Sequence, residues 1–87
     1  LHYAAEGGDV AAAQRWIENG ADINAVDLRE STTPLGYAAR KDHGETVRFL
    51  LGRGADPGAP AQRAWAQPIA YAELEGNAGV AEMLRTS

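Results

Sequence analysis

At 87 residues the chain is long enough for one small domain, and a compact fold of that size has limited surface to bury. Its net charge of −4, with acids and bases interspersed, gives no general reason to approach nucleic acid or an anionic membrane, where a basic patch is expected. The lack of cysteine removes disulfides, thiolate catalysis and most zinc sites and fits a reducing cytoplasm, which is the expected location, and no apolar run approaches the roughly 18 residues of a membrane span.

The chain repeats itself. Tyr3, Tyr37 and Tyr71 are 34 residues apart, and Leu1, Leu35 and Ile69 share the period. So do Ala4, Ala38 and Ala72, while Gly20-Ala21-Asp22 is answered by Gly54-Ala55-Asp56 and Pro34 by Pro68. A period of this length means stacked units, each too small to bury its apolar face alone. The 18 alanines fit close helix packing and helix propensity together.

In the first unit, Leu1 to about Glu6 is predicted as a helix and Gly7-Gly8 as a turn. Asp9 then caps a second helix to about Glu18. Asn19-Gly20 ends it, with Gly20 suited to a left-handed terminal position. Ala13, Trp16 and Ile17 lie at helical spacing and are expected in the core. The second unit opens at Thr32-Thr33-Pro34, where a threonine caps and Pro34 fits the first helical position, and its first helix runs from Leu35 to Arg40. Two conformations compete at Asp42, which stands in the phase of Gly8 and Gly76. Either it takes a left-handed backbone, or the helix start shifts and Asp42 with Glu45 makes a capping box. The capping box is preferred, because Gly44 otherwise sits poorly in the first turn. Val47, Leu50 and Leu51 continue the core stripe.

The connection from Asp56 to Gln67 holds Pro57, Gly58 and Pro60, and its hairpin is expected to be distorted. The third unit restarts at Pro68 and ends in its second helix. There Glu73 replaces the second alanine of the pair and Arg85 stands in the phase of Ile17 and Leu51, charges that suit a terminal cap. Leu1 falls inside the first-helix motif without a preceding Thr-Pro. The chain is therefore expected to be a piece of a longer array that continues upstream and stops at this end.

The residues carrying the period also carry a resemblance. The runs LHYAA from Leu1, TPLGYAA from Thr33 and QPIAYAE from Gln67, with NGADINA from Asn19 and RGADP from Arg53, resemble ankyrin repeats. That resemblance covers nearly the whole chain. It implies an all-α solenoid of helix-turn-helix repeats joined by β-turns: two full repeats, about 1–31 and 32–65, and a C-terminal capping helix pair, 66–87. It also implies a protein-binding scaffold whose partner is set by surface residues outside the motif.

No constellation points to catalysis. His2 stands at the TPLH histidine phase, where the family uses the imidazole to brace a turn. His43, at a helix start, is expected to be a solvated turn histidine with no metal or catalytic partner. Ser31, Thr32 and Thr33 lie near Asp27 and Glu30 but lack a histidine base or an oxyanion hole, and helix capping explains them. Gly52 to Pro57 follows a helix instead of preceding one and is no dinucleotide loop. The three tyrosines are expected to form a core ladder, each hydroxyl reaching a polar edge, in preference to an exposed aromatic platform for a partner.

By analogy with the family, two surfaces are the candidate contact sites. The concave face is lined by Glu6 and Gly7, Arg40 and Lys41, and Leu74 and Glu75, a strip with a basic middle and acidic ends that either contacts a partner or has Glu6 and Glu75 simply screening Arg40 and Lys41. The connection tips offer Leu28, Arg29 and Glu30, then Gln62, Arg63 and Trp65; Trp65 either is the strongest single contact residue or folds back over Ala59, Ala61 and Ala64 to anchor the loop. The expected function is non-catalytic binding of a protein partner by a monomer, with no cofactor, no nucleic acid and no membrane. The alternative is a segment that regulates or positions a catalytic domain upstream of Leu1.

Overall fold

The computed structural model describes residues 1–87 as six α-helices with no strands. They are α1 (His2–Glu6), α2 (Val10–Glu18), α3 (Pro34–Arg40), α4 (Gly44–Gly52), α5 (Pro68–Leu74) and α6 (Ala78–Arg85), with a single 3₁₀ turn at Ala64–Ala66. The first helices form one layer, in which α1 packs on α3 and α3 on α5, and the second helices form another, with α4 between α2 and α6.

Local chemistry sets these boundaries. Asp9 caps α2 by accepting from Ala12 N–H at 3.0 Å, and the Thr33 hydroxyl accepts from Gly36 N–H at 3.3 Å above Pro34. At the other end of α2 the chain turns through Gly20 at φ 91°, which lets Ala21 N–H close on the Trp16 carbonyl at 3.0 Å. Gly54 and Ala55 repeat this turn after α4, Ala55 N–H reaching the Leu50 carbonyl at 2.9 Å.

The core lies between repeats. Leu35, Ala38, Ala39, Val47 and Leu50 of the middle repeat are wholly buried, joined by Ala5 from one side and by Ala72, Val80, Ala81 and Leu84 from the other. Each fully buried Leu or Val contributes about 1.5–3 kcal/mol of transfer free energy.

Burial also shows which phases face which neighbour. Tyr37 and Tyr71, and Leu50 and Leu84, are buried against the preceding repeat, whereas Tyr3 and Trp16 at the same two phases are 71% and 54% exposed. Within residues 1–87 Trp16 therefore does not pack in the core, and Tyr3 lies outside the buried part of the ladder. Their phase faces the N-terminal side of the first helix pair, on which none of these residues packs. The opposite phase behaves as its mirror image. Ala5 and Ala39 are buried by the following repeat, while Glu73 is exposed and pairs with Arg85 at 3.0 Å.

At Asp42 the left-handed conformation is the one adopted. Its φ is 61°, beside 71° at Gly8 and 72° at Gly76, and His43, not Asp42, stands at the N-cap of α4 with no side-chain cap. The tight turn after α1, α3 and α5 needs a left-handed residue at this phase, and that requirement outweighs the cap. Asp42→Gly is therefore expected to raise stability by up to about 1 kcal/mol, since glycine carries no Cβ clash there. Urea unfolding checks this, and a loss of stability in the glycine variant would contradict the assignment.

Polar side chains tie the repeats together. His43 is half-buried, not solvated as expected: its Nε2 lies 2.9 Å from the Glu6 carbonyl at the end of α1, and since a carbonyl only accepts, Nε2 donates. Asn77, one period later, donates to the Ala39 and Arg40 carbonyls at 2.8 and 3.1 Å. Both satisfy carbonyls at a helix C-terminus that have no partner within their own helix.

Candidate partner-binding surface

The helix layer brings the concave strip together. Glu6, Arg40 and Leu74 each end a first helix, and Gly7, Lys41 and Glu75 each follow one, so the packing of α1, α3 and α5 sets them in a row. The His43 and Asn77 bonds fix the backbone under this row from behind, at Glu6, Ala39 and Arg40.

The basic middle of the strip is divided. Arg40 is not a free cation: its Nη1 lies 3.0 Å from Glu30 Oε2, and its guanidinium sits 5.9 Å from the centre of the Tyr71 ring. The acid paired with Arg40 is Glu30 from the first connection, not Glu6 or Glu75 at the ends of the strip. Lys41 is exposed and forms no ion pair, and Leu74 presents an apolar side chain that is 76% exposed. The strip therefore offers one unpaired cation, one apolar side chain and flanking carboxylates at Glu6 and Glu75.

Behind the strip the tyrosine hydroxyls reach the connections. Tyr37 donates to Asp27 Oδ2 at 2.6 Å, and Tyr71 donates to the Glu30 carbonyl at 3.0 Å. Burial, then the Asp27 hydrogen bond, pushes the Tyr37 hydroxyl well above the ordinary phenol range, and burial followed by the Glu30 charge raises Tyr71. Both remain neutral donors at ordinary pH, so the ladder keeps its direction. The Tyr37 hydroxyl first, with the Arg29 backbone N–H, holds the Asp27 carboxyl below the usual carboxylate value. Tyr3 instead accepts from Arg29 Nη2 at 2.7 Å, with that guanidinium 5.6 Å from its ring centre.

At the connection tips Leu28 is 95% and Trp65 63% exposed, and Arg29, Gln62 and Arg63 are exposed as well. Glu30 is turned inward to Arg40. The second connection differs from the first as expected: the first closes with Asp27 N–H on the Thr32 carbonyl at 2.8 Å, and the second uses the 3₁₀ turn at Ala64–Ala66. His2 braces the first connection, its Nε2 donating to the Ala25 carbonyl at 2.8 Å. The bracing roles of His43 and Asn77 escaped sequence reading, although the phase linking Asp9, His43 and Asn77 held the signal. All three are polar, and each starts a second helix.

Comparison with known proteins agrees with this architecture. The family model described as ankyrin repeats (many copies) matches residues 1–51, more than half of the chain. Mouse ankyrin repeat domain-containing protein 40 is 38% identical over 56 residues, covering 64% of this chain and 15% of that protein. Mouse 2-5A-dependent ribonuclease is 41% identical over 54 residues, 62% of this chain and 7% of the enzyme. Human ARF GTPase-activating protein GIT1 is 33% identical over 84 residues, 97% of this chain and 11% of that protein. This chain thus spans a small part of each of these relatives. The match over the first two helix pairs, the tyrosine phases and the paired left-handed glycine turns agree, and the chain belongs to the ankyrin repeat family.

Proposed function

We propose that this segment binds a partner protein through its concave strip and its connection tips, as a rigid non-catalytic module. Ankyrin repeats are in general protein–protein interaction modules, and the finer reading concerns where this one binds. The observation that carries it is Leu74, an apolar side chain 76% exposed at the end of α5, beside unpaired Lys41 on a backbone tied down by Asn77. A preordered surface loses little conformational freedom on binding, which favours affinity.

Capture from native lysate with wild-type protein, Lys41→Glu and Leu74→Ala tests this reading. A partner retained by the wild type is expected to be lost from Leu74→Ala. With Lys41→Glu its association rate should fall several-fold, about as a rim charge does, and its affinity should drop as salt rises. Retention that ignores both substitutions and salt removes the concave strip from the reading. A second reading, in which the segment positions a catalytic domain elsewhere in its chain, draws on one observation: a relative named as a ribonuclease contains a matching stretch within a much longer protein.

A further inference from the structure

The two connections run side by side and are tied together at both bases. At one end Asp56 N–H donates to Asn24 Oδ1 at 2.8 Å, and at the other the Thr32 hydroxyl donates to the Ala66 carbonyl at 2.6 Å. The tips between these ties form one edge, on which Arg29 and Arg63 share a phase of the repeat.

This edge is ordered. Trp65 lies in the 3₁₀ turn, where Ala66 N–H closes on the Arg63 carbonyl at 2.9 Å, and Gln67 Nε2 reaches back to the Gly58 and Pro60 carbonyls at 3.1 and 3.3 Å. Its indole, 63% exposed, is held outward on a fixed backbone. The edge also has free positive charge in a molecule of net charge −4. Glu30 is paired with Arg40, and Asp27, hydrogen-bonded by the neutral Tyr37 hydroxyl and the Arg29 backbone N–H, keeps its negative charge near Arg29 without forming an ion pair with it, so Arg29 and Arg63 stand against one carboxylate. Arg29 gives one donor to Tyr3 and is held over that ring, while Arg63 makes no ion pair and no side-chain hydrogen bond.

We propose that this edge takes an acidic, apolar segment of a partner protein, with two carboxylates on Arg29 and Arg63 and an apolar side chain against Trp65. The proposal rests on the protein-binding reading above and adds the chemistry of the partner. Arginine forks match carboxylates in two-pronged geometry, and tryptophan and arginine are the residues most enriched at interface hot spots. Neighbouring repeats are separated by about 8–10 Å of helix packing. A chain in the polyproline-II conformation rises about 3.1 Å per residue with three residues per turn, so two acids three residues apart lie on one face about 9 Å apart. A polyanion such as single-stranded DNA fits less well, because it draws its affinity from many neutralised phosphates and the edge supplies two cations.

The probe is a fluorescein-labelled synthetic peptide with two glutamates three residues apart and a phenylalanine between them, compared by anisotropy with its glutamine counterpart. The glutamate peptide is expected to bind and to weaken with salt. The glutamine peptide, Arg63→Glu and Trp65→Ala should each reduce affinity by about tenfold or more, with both variants keeping the wild-type melting midpoint. Arg63 is exposed and unbonded, so its reversal reads binding even if Trp65→Ala disturbs the turn. Equal binding of the glutamine peptide, no effect of Arg63→Glu, or tighter binding of a single-stranded oligonucleotide overturns the proposal. A parallel selection from a library of short random peptides separates this inference from the module reading. Recovered peptides that are not acidic, and are lost on Lys41→Glu but not on Arg63→Glu, overturn the inference alone. Failure to recover any peptide counts against both.

Discussion

Leu50→Ala is expected to cost about 2–5 kcal/mol in chemical unfolding, with the transition moving to lower denaturant and its slope unchanged. Leu50 is wholly buried in α4, the only second helix flanked by another on each side, so truncation leaves a void bounded by elements that cannot all close on it. Domains of this kind have total stabilities of about 5–15 kcal/mol, and the variant therefore loses a large share of its margin. Trp16→Ala provides the control. Trp16 occupies the same phase one period earlier but is 54% exposed, and its truncation is expected to cost less than about 1 kcal/mol, as for an ordinary surface site. Equal losses at the two positions, or a loss below about 1 kcal/mol at Leu50, would contradict the burial pattern.

The contrast between Leu50 and Trp16 shows what a repeat period discloses. Periodicity identifies equivalent positions, and it located the six helices, Pro34 at a helix start and the left-handed turn at Gly20 from local chemistry alone. It is silent on whether an equivalent position has a neighbour. That depends on which side of its repeat a phase faces, so Trp16 and Tyr3 are exposed while their counterparts are buried. Asp42 carries a related lesson. Its local pattern, aspartate followed by Glu45, suggested a capping box, whereas the glycines at the same phase of the other repeats described the backbone correctly.

The candidate surface comes from analogy with the family, and its charges were the part that the sequence disclosed least. Phase carries the family's positions, the ends of the first helices and the connection tips, from one repeat to the next. Pairings across about ten residues or more, such as Arg40 with Glu30 or His43 with the Glu6 carbonyl, depend on how side chains cross between layers, and no short-range rule foretells them. The consequence for binding is direct. Arg40 belongs to the scaffold of the connection, and the cations left for a partner are Lys41 on the strip and Arg29 and Arg63 on the edge.

Gly36→Ala is expected to destabilise the protein by roughly 2–4 kcal/mol, against the helix propensity of alanine, which on its own would favour the variant by about 1 kcal/mol. Gly36 lies in α3 at the phase held by His2 in the first repeat, and a Cβ there would overlap the Thr32 hydroxyl, with Thr32 Cβ and Cγ2 each only 3.0 Å away. Thr32 cannot yield freely. It is wholly buried, and its hydroxyl donates at 2.6 Å to the Ala66 carbonyl, one of the ties between the two connections. An added methyl group displaces that hydroxyl and leaves a buried carbonyl without its partner, so the steric and polar costs arise together. A double-mutant cycle with Thr32→Ala isolates this coupling. Once the hydroxyl is gone, Gly36→Ala should cost much less, giving an interaction energy of about 1 kcal/mol or more between the two sites. If Gly36→Ala stabilises the wild-type background, Thr32 has another rotamer available at little cost, and the close approach does not constrain the fold.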